Sequence, residues 1–236
     1  MQANQTMTAT TRGLHEPDEP AGVTASSNQL ELVGLKVGDM DAVTLTVAGG
    51  ECVVLAGASG SGKTRLLRAI ADLDPGIDSS LDNAAARIKL GGVDHDQYSG
   101  AEWRRRVSYV AAESQWWFDD VGQHFSVMPE VEQCQALGFN INILQQPVSR
   151  LSSGERQRLA LLRVLVQQPQ VLLLDEPTAS LDPVATRAVE DMILGYRDRH
   201  QAAVLWVSHD PIQAQRVGHR YFRIDQGRLI DQRGGA

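Results

Sequence analysis

Eight consecutive residues, Gly57-Ala58-Ser59-Gly60-Ser61-Gly62-Lys63-Thr64, carry the spacing GxxxxGK[ST] of a phosphate-binding loop. Glycines let the backbone curl until successive N–H groups face one point, a nest suited to a phosphate oxygen. A helix starting near Lys63 adds the positive end of its dipole. Lys63 supplies a point charge, and Thr64 offers a hydroxyl to a divalent cation. The chain has three lysines, Lys36, Lys63 and Lys89, and one stands where the loop requires it. A flexible Gly/Ser turn is the bland alternative. It is disfavoured by an apolar run before the loop and a helical pattern, Leu66-Leu67 to Ile70, after it.

Two further stretches carry chemistry. Val171-Leu172-Leu173-Leu174-Asp175-Glu176 is an apolar strand ending in two carboxylates. Beside a phosphate loop, the first acid, Asp175, suits a magnesium ion. The second, Glu176, suits a general base for an attacking water. Leu151-Ser152-Ser153-Gly154-Glu155-Arg156-Gln157 contains a capping box, Ser152 with Glu155, that opens a helix. The free N–H groups at its start suit a second anion.

The elements that must position these groups read as α/β. Val43 to Val47 alternates apolar and polar residues, the period of a half-buried strand. Cys52 to Ala56, Val171 to Leu174 and Ala202 to Val207 are continuous apolar runs, which suit strands covered on both faces. Between the last two, Pro183 to Arg199 has helical spacing, so a parallel crossover is expected. Tyr221 to Ile224 and Arg228 to Ile230, around Asp225-Gln226-Gly227, predict a closing hairpin. Residues 113–150 are Gln-rich, with weak helical periodicity at Val131, Cys134 and Leu137, and predict a small helical insertion. Residues 1–28 lack periodicity and predict a disordered tail, leaving 29–236 as the folded domain.

Composition narrows the function. The formal net charge of −7 disfavours sequence-independent binding to nucleic acid. Two cysteines, Cys52 and Cys134, make no disulfide framework and suit a reducing cytosol. No apolar run reaches membrane-spanning length, and no secretory signal is evident.

Taken in order, these motifs resemble the nucleotide-binding subunit of an ATP-binding cassette (ABC) transporter over residues 29–232. Leu151 to Gln157 resembles the family's LSGGQ signature, Ser180-Leu181-Asp182 its D-loop, and Val207-Ser208-His209-Asp210 its switch region. The resemblance implies a P-loop ATPase fold of ABC type. That fold has a mainly parallel sheet flanked by helices, N-terminal antiparallel strands and a small helical subdomain. It implies ATP and Mg²⁺ as cofactors, and ATP hydrolysis that drives a separate membrane permease from the cytoplasmic face of the inner membrane. Two copies would pair head to tail, each ATP lying between one copy's phosphate loop and the other's signature. Gly57 to Thr64 would hold phosphates, and Thr64 and Asp175 the Mg²⁺. Glu176, His209 and Lys63 would be catalytic. Ser152, Ser153, Gly154 and Asp182 would contact nucleotide across the dimer. The compact size suggests export or metal efflux. The alternatives are a soluble non-transport ABC ATPase and a low-turnover regulatory module.

Three departures from the family pattern stand out. No aromatic residue lies near Leu35 to stack on adenine, which leaves Leu35 or Val37 for apolar contact. Ala112 stands where the family has a Q-loop glutamine, with Glu113 and Gln115 as possible substitutes. Ser153 replaces a signature glycine, a costly exchange if that position needs a positive φ. Separately, Trp116-Trp117-Phe118 suggests a partner surface near the Q-loop, with burial in the insertion as its rival. Arg104-Arg105-Arg106 reads as a solvated face, with membrane phosphates as the alternative.

Overall fold

The computed structural model of the protein describes residues 28–74 and 86–232. Of the expected tail, only Asn28 falls among them. Its side chain donates to the carbonyls of His200 and Gln201 and accepts from Gln170.

The chain opens with β1 (Leu30–Leu35), β2 (Val43–Val47), β3 (Cys52–Gly57) and α1 (Lys63–Ile70). It continues through β4 (Arg87–Leu90), β5 (Val93–Asp94), α2 (Gly100–Arg106), β6 (Val107–Val110), α3 (Val131–Ala136) and α4 (Ser153–Leu165). It closes with β7 (Val171–Asp175), α5 (Pro183–His200), β8 (Ala203–Val207), α6 (Pro211–Val217), β9 (Arg220–Asp225) and β10 (Arg228–Asp231).

Two sheets result. One is antiparallel, in the order β2-β1-β4-β5; the other has the order β10-β9-β3-β8-β7-β6. In the second, β9, β3, β8, β7 and β6 are all parallel, and β10 closes the edge as an antiparallel hairpin partner of β9. The expected crossover is present, with β7 and β8 adjacent and parallel on either side of α5.

The apolar runs are continuous because both faces of the central strands are covered. Val53, Leu55, Leu173, Leu205 and Val207 face a core shared with α1 and the antiparallel sheet. Cys52, Val54, Leu172, Leu174, Val204 and Trp206 face the opposite core, with α4, α5 and α6. Strand pleating sends alternate residues to opposite faces, so every position must be apolar. In the antiparallel sheet only one face meets a core, and β2 accordingly alternates buried and exposed.

Residues 113–150 hold one short helix, α3, and three short 3-10 turns at Val121–His124, Ile141–Gln145 and Val148–Arg150. Cys134 and Leu137 are buried as their spacing suggests, but Val131 is 43% exposed. Its helix has fewer than two turns, so the periodicity extends to neither Val127 nor Met128, which are also exposed.

Trp103 is fully buried, and its Nε1 donates to the carbonyl of Ile70 at 2.8 Å. That bond fastens α2, which runs directly into β6, to the end of α1. Trp103→Ala is expected to destabilise the fold by about 3–5 kcal/mol, the range for removing a large buried aromatic. A loss below about 1 kcal/mol in urea unfolding would show that Trp103 does not anchor α1 to β6.

Candidate nucleotide-binding site

The loop from Gly57 to Gly62 joins buried β3 to α1. A side chain at Gly57 (φ 151°) would meet the Ile224 carbonyl at 2.6 Å, and one at Gly62 (φ 99°) would meet Met40 Sδ at 2.7 Å. The loop can thus take its curve only with glycine at both positions. Helix α1 starts without a side-chain cap and with no acidic residue in its first turn. By contrast α2, α4, α5 and α6 are capped by Ser99, Ser152, Asp182 and Asp210. The first N–H groups of α1 are therefore left for an anion. Lys63 is only 6% exposed, and its ammonium donates to the carbonyls of Gly57 and Ala58 at 2.8 and 2.9 Å. Burial lowers its pKa, while the charges of Glu176 and Asp175 act in the opposite sense.

The acids reach this loop from β7. Asp175 is the last residue of the strand and is buried; its Oδ2 accepts from Thr64 Oγ1 at 2.8 Å. A second donor to the same oxygen is the Tyr109 hydroxyl on β6, at 3.0 Å. Glu176, the next residue, adopts φ 49°, a conformation that costs energy for any residue but glycine. Its Oε1 lies 2.7 Å from His209 Nε2. Ser59 to Arg65, Glu176 and His209 line one cavity of about 200 Å³. The oxygens of Thr64 and Asp175 fit Mg²⁺, which takes hard donors, keeps several waters and uses one or two protein ligands together with phosphates.

A buried polar network supports the Glu176–His209 pair. Ser208, beside His209, donates to Gln213 Oε1 at 2.7 Å. Gln213 donates to Thr178 Oγ1 and to Glu190 Oε1, both at 2.8 Å. Arg216 Nε donates to Glu190 Oε2 at 2.6 Å. The loop after β7 and the loop after β8 are thereby fixed to the same two helices, α5 and α6. Neither Tyr109 nor this network stood out in the sequence. Their partners are remote in the chain, and isolated polar residues in a strand or helix carry no motif.

Ser152, Ser153 and Gly154 do not line the phosphate-loop cavity. Ser152 caps α4 as its sequence suggests: its Oγ accepts from Glu155 N, and Ser152 N donates to Glu155 Oε2 at 2.8 Å. Gly154 instead lies against the D-loop, where an added Cβ would sit 3.1 Å from Leu181. Asp182 caps α5, accepting from Val184 and Ala185; it too is outside the cavity.

Several expectations change. Leu35 and Val37 are 1% and 7% exposed, so neither can offer a face to a base; both belong to the core. Ser153 is not among the described residues with positive φ. As the first residue of α4 it takes helical geometry, and the serine there is unstrained. Glu113 and Gln115 are exposed, and the Gln115 carbonyl accepts from Arg163. The group that reaches Asp175 from this part of the chain is Tyr109. Trp117 and Phe118 are 63% and 48% exposed, while Trp116 packs on the core. All three rings surround His124, whose Nε2 accepts from the N–H groups of Trp117 and Phe118. Arg104 and Arg106 pair with Asp72 and Glu102, in keeping with a solvated face.

A family model described as ABC transporter matches residues 40–179. The chain belongs to that family. It is an ATP-binding subunit of an ABC transporter, and such subunits are ATPases coupled to transport. It is 34% identical over 193 residues to the aliphatic sulfonates import ATP-binding protein SsuB 2 of Frankia alni, covering 82% of this chain and 74% of that one. It is 35% identical to SsuB 1 of Nocardia farcinica, covering 80% and 73%. It is 28% identical to the glycine betaine/proline betaine transport protein ProV of Escherichia coli, covering 85% and 52%. A solved ATP-binding subunit of an ABC transporter has the same fold, with a TM-score of 0.70 at 22% identity and coverage of 85% and 87%. The expected export role finds no support among these relatives, since the sulfonate proteins are named for import. No helix among the described residues is long and apolar enough to cross a membrane.

Burial alone would raise the pKa of Glu190, but bonds from Arg216 and Gln213 and the charges of Arg216 and Arg187 outweigh it and hold the carboxylate below its ordinary 4.5. As pH falls, the unfolded chain therefore takes up this proton first. The stability that Glu190 contributes is complete above about pH 5.5 and is lost as pH drops through 4.5 toward the folded pKa. Glu190→Gln is expected to lower stability at pH 7 and to flatten the decline between about pH 5.5 and pH 3.5. Parallel stability–pH curves for variant and wild type would contradict the pairing.

Proposed function

We propose that this ABC subunit binds Mg²⁺·ATP at the phosphate loop and hydrolyses it in a head-to-tail dimer. The dimer would energise a membrane permease from the cytoplasmic side. The observation that carries the reading is that Glu176 and His209 line the same cavity as residues 59–65, with their side chains 2.7 Å apart.

In this reading the N–H groups at the start of α1 and the Lys63 ammonium hold the β- and γ-phosphates. Thr64 and Asp175 hold Mg²⁺, which when bound neutralises phosphate charge. Glu176 takes the proton of the attacking water on its carboxylate. His209 orients that carboxylate through Nε2 and adds a donor toward the γ-phosphate. Ser152, Ser153 and Gly154 serve the partner copy's nucleotide, which suits their distance from the cavity in their own chain. Catalysis comes from positioning and charge, as in phosphoryl transfer generally.

The relatives' names favour import over export, and a small organic solute of the sulfonate or betaine kind as cargo. The exposed apolar group of Trp117, Phe118, Val127, Met128 and Val131 is the surface offered to the permease.

Lys63→Ala is expected to weaken ATP binding by about 10-fold or more, the worth of a charged hydrogen-bond donor. Glu176→Gln is expected to keep ATP binding, lower turnover by about 100-fold or more and accumulate an ATP-bound dimer in light scattering. The reading fails if Glu176→Gln hydrolyses ATP at the wild-type rate. ATP binding without turnover in the wild type, even with the permease present in lipid, would favour a regulatory module, the reading that Ala112 recommends.

A further inference from the structure

Asp175 Oδ2 receives two hydroxyls, Thr64 Oγ1 at 2.8 Å and Tyr109 OH at 3.0 Å. The first partner comes with the phosphate loop; the second has no part in the motifs. Tyr109 stands on β6, where the sheet register pairs it with Leu173 of β7 and Val110 with Leu174. A tyrosine ring is long enough to reach past the next pair to a residue two positions along β7, and its hydroxyl arrives at Asp175. The ring packs against the core shared with α1, so it has little freedom to leave.

The chemistry of this contact is one-directional. A phenol keeps its proton at neutral pH, and a carboxylate oxygen can only accept, so Tyr109 is the donor. An ionised carboxylate with a fixed donor on one oxygen keeps one orientation, with its remaining lone pairs aimed elsewhere. A cation held by Thr64 would take a lone pair of Oγ1 and would draw that hydroxyl toward itself. The Tyr109 bond, which involves no cation ligand other than Asp175, would hold the carboxylate independently of Thr64. Ala112, three residues beyond Tyr109, has no polar side chain to contribute, and Glu113 and Gln115 are exposed.

We propose that Tyr109 is the positioning residue for Asp175 in this chain. It sets the carboxylate that receives the divalent cation and supplies from strand β6 a holding group that the loop after β6 lacks. The proposal rests on the reading of Asp175 as a cation-holding residue given above.

The test uses the full chain with a non-hydrolysable ATP analogue. Mn²⁺ affinity of the complex is followed by loss of the free-ion resonance. Analogue affinity without metal and the melting temperature are measured beside it. Tyr109→Phe, which keeps the ring in its packing, is expected to weaken Mn²⁺ binding about 3- to 10-fold, the net worth of one hydrogen bond, with metal-free analogue affinity unchanged. Tyr109→Leu, which also empties the ring's space, should show the same loss of Mn²⁺ affinity together with a lower melting temperature. Asp175→Asn serves as the reference and should weaken Mn²⁺ binding at least as much. Wild-type Mn²⁺ affinity in Tyr109→Phe beside a weakened Asp175→Asn would overturn the role of Tyr109 alone. Equal losses with and without metal in Tyr109→Phe would also overturn it, since they would mark a general disturbance of the site. Wild-type Mn²⁺ affinity in Asp175→Asn would instead remove the reading of Asp175 on which the proposal rests.

Discussion

Parallel pairing of β3, β8 and β7 is the constraint on which the site depends. In register, Leu55 lies beside Val207 and Val207 beside Asp175. Three strands therefore end at one edge of the sheet. The segments that leave them enter the same space: the phosphate loop after β3, Ser208 and His209 after β8, and Glu176 after β7. Carboxyl ends of parallel strands are where α/β folds generally place ligands. Here the register decides which residues share that edge, and a slip of one residue would turn every side chain to the wrong face.

Holding the edge in place takes apolar and polar means together. The two cores on either side of the sheet fix the strands, and α1 is tied to α2 through Trp103. The loops beyond the strands have no ladder to hold them, and their order comes from side-chain bonds. Buried Ser208, Gln213 and Glu190 form one bonded set with half-buried Thr178, and Arg216 neutralises the charge of Glu190. Buried polar groups left half-satisfied would be costly, so this network has a defined geometry. The positive φ of Glu176 is a local strain that the surroundings over-determine. It turns the carboxylate toward His209 and away from the line of the strand.

The starts of α1 and α4 differ in how their N–H groups are satisfied. Helix α1 begins uncapped beside a buried lysine, and α4 begins capped by Ser152 with Glu155 folded back on it. The first is prepared for phosphate within its own chain. The second is satisfied until something displaces or joins its cap, and it lies against Leu181 outside the phosphate-loop cavity. In the proposed head-to-tail dimer, the α4 start of one copy would serve the nucleotide of the other.

Local pattern alone determined a great deal about this protein. The GxxxxGK[ST] spacing, the apolar strand ending in Asp175-Glu176 and the capping box at Ser152 are short-range features. Loop curvature, strand burial and helix capping are set within a few residues, so these elements were legible in the sequence, as were the crossover and the closing hairpin. What only the tertiary structure decided depends on register and packing between distant segments. It buried Leu35 and Val37, gave Ser153 a helical conformation, left Val131 exposed on a helix of under two turns, and brought Tyr109 to Asp175 across 66 residues of chain. A lone hydroxyl near the end of a strand has no sequence signal of its own. Its partner exists only once β6 and β7 are paired in their particular register.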